Sequence, residues 1–89
     1  MPGGTGCSHT ADLPSPEPAP QTATCLRCVA LGQRPVQLRA CLTCGLVGCC
    51  DSSPGQHATG HARESGHPVM RTVEPGESWR WCYLHSSLV

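Results

Sequence analysis

Two Cys-x-x-Cys pairs, Cys25/Cys28 and Cys41/Cys44, carry the most specific chemistry in this sequence. Two residues between cysteines let a tight turn aim both sulfurs at one ion, at about 2.3 Å for Zn²⁺. A single pair also suits thioredoxin-like redox exchange, which calls for a βαβ setting with the pair opening a helix. Neither pair is expected to open one. Around them stand Cys7-x-His9, Cys49-Cys50, His57, His61, His67 and Cys82-x-x-His85. Eight cysteines and five histidines offer thirteen donors, where three tetrahedral sites take twelve. Cys49 and Cys50 are neighbours, and adjacent side chains on extended backbone point opposite ways, so one of the two is set aside. Sites with four protein ligands leave no open position for water or substrate, and the expected zinc is structural.

The rest of the composition explains why metal is needed. Eighty-nine residues make one small domain, with no Phe and only Trp79, Trp81 and Tyr83 as aromatics. A chain this short and this poor in bulky side chains needs disulfides, metal or oligomerisation to offset its conformational entropy. An even cysteine count would also suit a disulfide framework in a secreted mini-protein. Against that, Met1-Pro2-Gly3-Gly4 has neither the basic nor the apolar region of a leader, and no apolar run approaches membrane-spanning length. The expected setting is cytoplasmic and reducing, where clustered Cys and His hold metal.

Formal charge is zero, and the six arginines at 27, 34, 39, 63, 71 and 80 are scattered. Binding to a phosphate backbone scales with the phosphates neutralised, so neither nucleic acid nor a membrane surface is an expected partner. An enzyme is not expected either. His57-Ala-Thr-Gly-His61 has the two-histidine spacing of zinc proteases, but Ala58 stands where their general-base Glu belongs. The competing reading is a metal-dependent, cysteine-based or redox enzyme with the spare Cys50 as nucleophile, yet every histidine is better used on metal.

The elements that must position these donors are short. Residues 10–24 carry four prolines and no apolar periodicity, which reads as an extended loop. Val36 to Ala40 alternates as a half-buried strand and runs into the Cys41–Cys44 turn. Ser53-Pro54 reads as an N-cap with proline at the first helical position, for a helix over 54–65 ending at Gly66. Val69 to Val73 and Trp79 to Tyr83 read as strands joined by Glu74-Pro75-Gly76-Glu77, the sequence of a type II turn. The fold class is a small α+β, zinc-stabilised domain: a short antiparallel sheet with one main helix and cross-braced zinc sites. On the last strand Trp79, Trp81 and Tyr83 share one face, opposite Arg80 and Cys82. Trp79 at least reads as core.

The order Cys-x-His, CxxC, CxxC, Cys, His-x3-His-x5-His and Trp81-Cys82-Tyr83 resembles the UBP-type zinc finger of ubiquitin-specific proteases and a histone deacetylase. The stretch Gly48-Cys49-Cys50-Asp51-Ser52-Ser53-Pro54 is similar to its bacterial stand-alone members. The resemblance covers 7–85 as the domain, with 1–6 as a disordered N-terminus and 86–89 as a tail. It implies three Zn²⁺ ions: Cys7, His9, Cys82 and His85 on one; Cys25, Cys28, Cys49 and His57 on a second; Cys41, Cys44, His61 and His67 on a third. It thus splits His57 from His61, which an HxxxH helix alone would place on one ion. It further implies an interaction module, a monomer whose pocket receives the C-terminal tail of a peptide or protein, with Trp81 and Tyr83 at matching positions. Two positions depart from the ubiquitin-binding pattern. Asp51 stands where the carboxylate-clamping Arg belongs and would repel an anion, and Arg39 stands in place of a Trp. Arg39, beside Tyr83, is the expected cation for a different acidic or C-terminal group.

Overall fold

The computed structural model describes residues 8–89. Cys7 and the expected disordered segment 1–6 lie outside the described residues. A 3-10 turn, Ser8–Asp12, leads into a stretch without helix or strand that reaches Cys25. There follow helix α1 (Leu26–Ala30), strands β1 (Leu38–Cys41) and β2 (Val47–Cys49), helix α2 (His57–Ser65), and strands β3 (Val69–Thr72), β4 (Arg80–Cys82) and β5 (Ser87–Leu88). The sheet is antiparallel throughout, in the order β2-β1-β3-β4-β5.

The register sorts the side chains between two faces, because directly paired residues project to the same side. Gly48, Arg39 and Thr72 form one cross-strand row, and Cys41, Met70 and Trp81 form another on the same face. Helix α2 packs there. A Cβ on Gly48 would lie 2.6 Å from the Ala58 backbone nitrogen, so glycine permits the contact between β2 and α2. The opposite face carries Cys49 with Leu38, and Cys82 with Val69. Of the largest fully buried side chains, five are cysteines; the others are Leu42, Met70, Val69 and Thr72.

Several expectations are corrected. Helix α2 begins at His57, not at 54: Gln56 is the N-cap, in the left-handed region at φ 47°. Ser53 does not cap it, because its hydroxyl accepts from the Val36 N–H at 2.7 Å and is buried. The helix does end at Gly66, with φ 74°. Residues 86–89 are no free tail. Ser87 pairs with Cys82, Leu88 pairs with Trp81, and the Val89 N–H bonds the Arg80 carbonyl. The turn after β3 forms as expected, with Gly76 at φ 81° and the Glu77 N–H bonded to the Glu74 carbonyl.

Among the described residues, no helix is long and apolar enough to cross a membrane. Gly48→Ala is expected to overpack the contact with α2 and cost about 1–3 kcal/mol, read as a lower unfolding midpoint of the zinc-loaded protein.

Candidate metal centre

Local backbone explains how each donor is placed. Cys25 is the N-cap residue of α1 and Cys28 lies within it, so the first Cys-x-x-Cys pair does open a helix, contrary to expectation. No strand precedes that helix among the described residues, so the setting is not βαβ. The second pair sits on a knuckle after β1. There the Gly45 N–H bonds the Cys41 carbonyl at 2.8 Å, and the Thr43 N–H points at the Cys41 sulfur at 3.4 Å. Gly45 turns the chain at φ 84°, where L-residues are strained.

The donors converge in three groups. Cys25, Cys28, Cys49 and His57 form one; Cys41, Cys44, His61 and His67 a second; His9, Cys82 and His85 a third. Within each, all ligating atoms lie within 4.8 Å of one another. The first group is the most interior, with its three cysteines fully buried. The His57 Nδ1 stands 3.2 Å from the Cys25 sulfur and 3.3 Å from those of Cys28 and Cys49. One imidazole nitrogen cannot share a single proton equally with three thiols. A tetrahedral Zn²⁺ bonded to sulfur at about 2.3 Å and nitrogen at about 2.0 Å sets an S···N edge of about 3.5 Å. Three nearly equal separations close to that edge are the geometry of a coordination shell, and the donor set fits zinc. The second group repeats it, with Cys41 Sγ to His67 Nδ1 at 3.5 Å, Cys44 Sγ to His61 Nε2 at 3.4 Å and the two imidazoles 3.4 Å apart. In the third, Cys82 Sγ lies 3.3 Å from His9 Nδ1 and 3.5 Å from His85 Nδ1. Cys7, the expected fourth donor there, is outside the described residues. His57 and His61 serve different groups although they share a helix, as the cross-braced arrangement requires.

Protonation favours the same reading. Burial, then the neighbouring Cys25 and Cys49 thiols, pushes the Cys28 thiol up to about 12. Burial raises Cys41 as well. Without an ion such thiols stay protonated and crowd one another; a divalent cation converts them to thiolates it can bind. Burial, then the charges of His67 and Arg27, holds the His61 imidazole below its ordinary value, which keeps it in the neutral form a metal takes. Three thiolates and one imidazole leave the first site at minus one, and two of each leave the second neutral.

The profile of the family of zinc fingers in ubiquitin hydrolases and other proteins matches residues 25–89. The chain belongs to that family. The solution NMR structure of protein RPA1320 from Rhodopseudomonas palustris superimposes with a TM-score of 0.83 at 42% identity, covering 93% of this chain and 79% of that one. No curated protein matches. In this zinc finger, three cysteine/histidine groups can each hold a zinc ion, the third only in part described.

Cys50 takes a different place from Cys49. Its sulfur lies 3.6 Å from the Ser53 hydroxyl, and it lines a cavity of about 220 Å³ with Arg39, Asp51, Trp79, Trp81 and Tyr83. Burial would raise this thiol, but the Ser53 hydroxyl and nearby backbone N–H groups outweigh that and lower it. Trp79, expected in the core, is only half-buried, and the Arg39 guanidinium lies 4.3 Å over its ring. No signal in the sequence pointed to that stacking.

His57→Ala is expected to reduce zinc from three ions per chain to two in native mass spectrometry. Cys49→Ser should weaken the same site at least tenfold, whereas Cys50→Ser should keep all three ions. Zinc uptake at neutral pH should release protons, since Cys28 is held protonated without metal, so affinity falls as pH falls; calorimetry in two buffers of different ionisation heat measures this.

Proposed function

We propose that this zinc finger is a non-catalytic, cytoplasmic interaction module that binds the C-terminal carboxylate of a peptide or protein in the cavity walled by Trp81 and Tyr83, with Arg39 as the cation. The observation that carries this reading is the placement of Arg39. Arg39 is 8% exposed, and it lines the same cavity as both aromatics. Its N–H groups are spent only in part: one bonds the Leu38 carbonyl at 2.9 Å and one the Gln37 Oε1 at 3.0 Å, of the five that a guanidinium offers. No carboxylate pairs with it among the described residues. A fixed, partly desolvated guanidinium beside an aromatic wall suits the planar carboxylate of a chain end.

The first two groups each offer four protein donors, which fill a tetrahedral ion, and Arg39 lies on β1 two residues before Cys41 of the second group. A catalytic reading finds little to use. All five histidines stand in the cysteine/histidine groups, and the polar neighbour of the Cys50 sulfur is the Ser53 hydroxyl rather than an imidazole. Ala58 is buried against β2, where a protease would need a solvent-facing Glu. A tail ending in Gly-Gly is a poor match, because Asp51 occupies the place of the arginine that holds such a tail in ubiquitin binders.

Isothermal titration of short peptides tests the reading. Free-acid peptides should bind at least tenfold more tightly than the same peptides amidated at the C-terminus, and Arg39→Ala should remove that difference while leaving zinc content at three. Equal binding of acid and amide by the unaltered protein would discard the proposal.

A further inference from the structure

The cavity holds two charges of opposite sign that do not neutralise each other. Arg39 and Asp51 both line it, yet the ion pairs among the described residues are Arg27–Glu64 and Arg71–Glu17. Asp51 is also held in place. The Thr59 hydroxyl on α2 donates to one of its carboxylate oxygens. The Gln56 amide bonds the Asp51 carbonyl at 3.1 Å. With its carboxylate and its backbone carbonyl each hydrogen-bonded, Asp51 is held where it lines the cavity. An anion alone would meet attraction at Arg39 and repulsion at Asp51. A ligand carrying both charges meets attraction at each.

Size and walls narrow the ligand further. At about 220 Å³ the cavity falls below the range of drug-sized sites, roughly 300–1,000 Å³, and suits one residue with its terminal carboxylate. Trp81 and Tyr83 offer aromatic surface, which attracts the cation of a Lys or Arg side chain as well as its methylenes. A second cavity, of about 320 Å³, shares Asp51, Trp81 and Tyr83 with the first and continues past Arg63 and Leu84. A chain whose last residue fills the first cavity therefore has a path outward through the second.

We propose that the preferred ligand is a peptide C-terminus whose final residue is basic, its carboxylate on Arg39 and its side-chain cation on Asp51 between Trp81 and Tyr83. This rests on the carboxylate-binding reading above and adds to it the identity of the terminal residue. Asp51, the position that argues against a Gly-Gly tail, becomes the residue that selects.

The experiment titrates the zinc-loaded chain with four tetrapeptides that differ only at the end: Lys, Gly and Glu as free acids, and Lys as the amide. The expected order is Lys, then Gly, then Glu, with Lys at least tenfold over Glu and the Lys amide at least tenfold below the acid. Asp51→Asn should shrink the preference of Lys over Gly to within about twofold, and Asp51→Lys should put Glu ahead of Lys; zinc content and melting point certify that each variant is folded. A wild-type protein that binds Gly- or Glu-ending acids as well as Lys-ending ones, but still needs the free carboxylate, would overturn this inference and leave the carboxylate reading standing. Equal binding of Lys acid and Lys amide would overturn both. Free lysine binding as tightly as the tetrapeptide would also overturn it, in favour of a small-molecule site.

Discussion

Sulfur and imidazole converging on shared points hold this protein together, and the rest of the architecture is arranged around them. Each of the three buried clusters of the interior contains cysteine: Cys25, Cys28 and Cys49 in one, Cys41 in another, Cys82 in the third. The fully buried apolar partners are few: Ala58 and Met70 in one cluster, Leu42 and Val69 in another. Burying thiols returns little hydrophobic free energy compared with Leu or Phe, and crowding them costs more if they must ionise alone. A divalent cation reverses that sign. Binding of Zn²⁺ by a small domain is worth on the order of 10 kcal/mol per site, comparable to the whole stability of an ordinary domain. The short helices and two- to four-residue strands are tolerable because the metal groups, not their length, fix them.

How much of this the residues announced differs from element to element. The donor set was legible because ligand chemistry leaves a spacing that survives translation into three dimensions, and the Pro75-Gly76 turn because only glycine is at ease at φ 81°. The strand at Leu38 showed through its alternation, and the one at Val69 as the partner across the Glu74–Glu77 turn. Helix α1 did not, since its five residues expose Leu26 and Val29 and have no amphipathic period to read. β2 is three residues, Val47–Cys49, all buried, and presents no alternation. β5 depends on pairing with a partner, β4, rather than on its own composition. The start of α2 was misplaced because Ser53-Pro54 looks like a cap while tertiary structure uses the Ser53 hydroxyl for Val36. Local propensity was overridden by a long-range hydrogen bond.

The cavity lined by Arg39 and Asp51 follows from the same sheet. Arg39 comes from β1, Trp81 from β4 and Asp51 from the turn before α2, three segments that meet because β3 pairs with both β1 and β4. Where a tryptophan would fill space in the family's ubiquitin binders, an arginine fills it while stacking on Trp79, so aromatic surface is kept and a positive charge is added. That the compensating acid stands across the cavity rather than in contact with the arginine is what leaves both charges available.

The alternation of faces along β1 and β2 has a further consequence. Cys41 and Cys49 lie on opposite faces of the paired strands, and the Cys49 sulfur meets His57 at the very start of α2. Sliding β1 by one residue against β2 would invert one strand relative to the other, and no single arrangement could then close both groups. The pairing of Leu38 with Cys49 and the closing of both donor groups therefore belong to one and the same register.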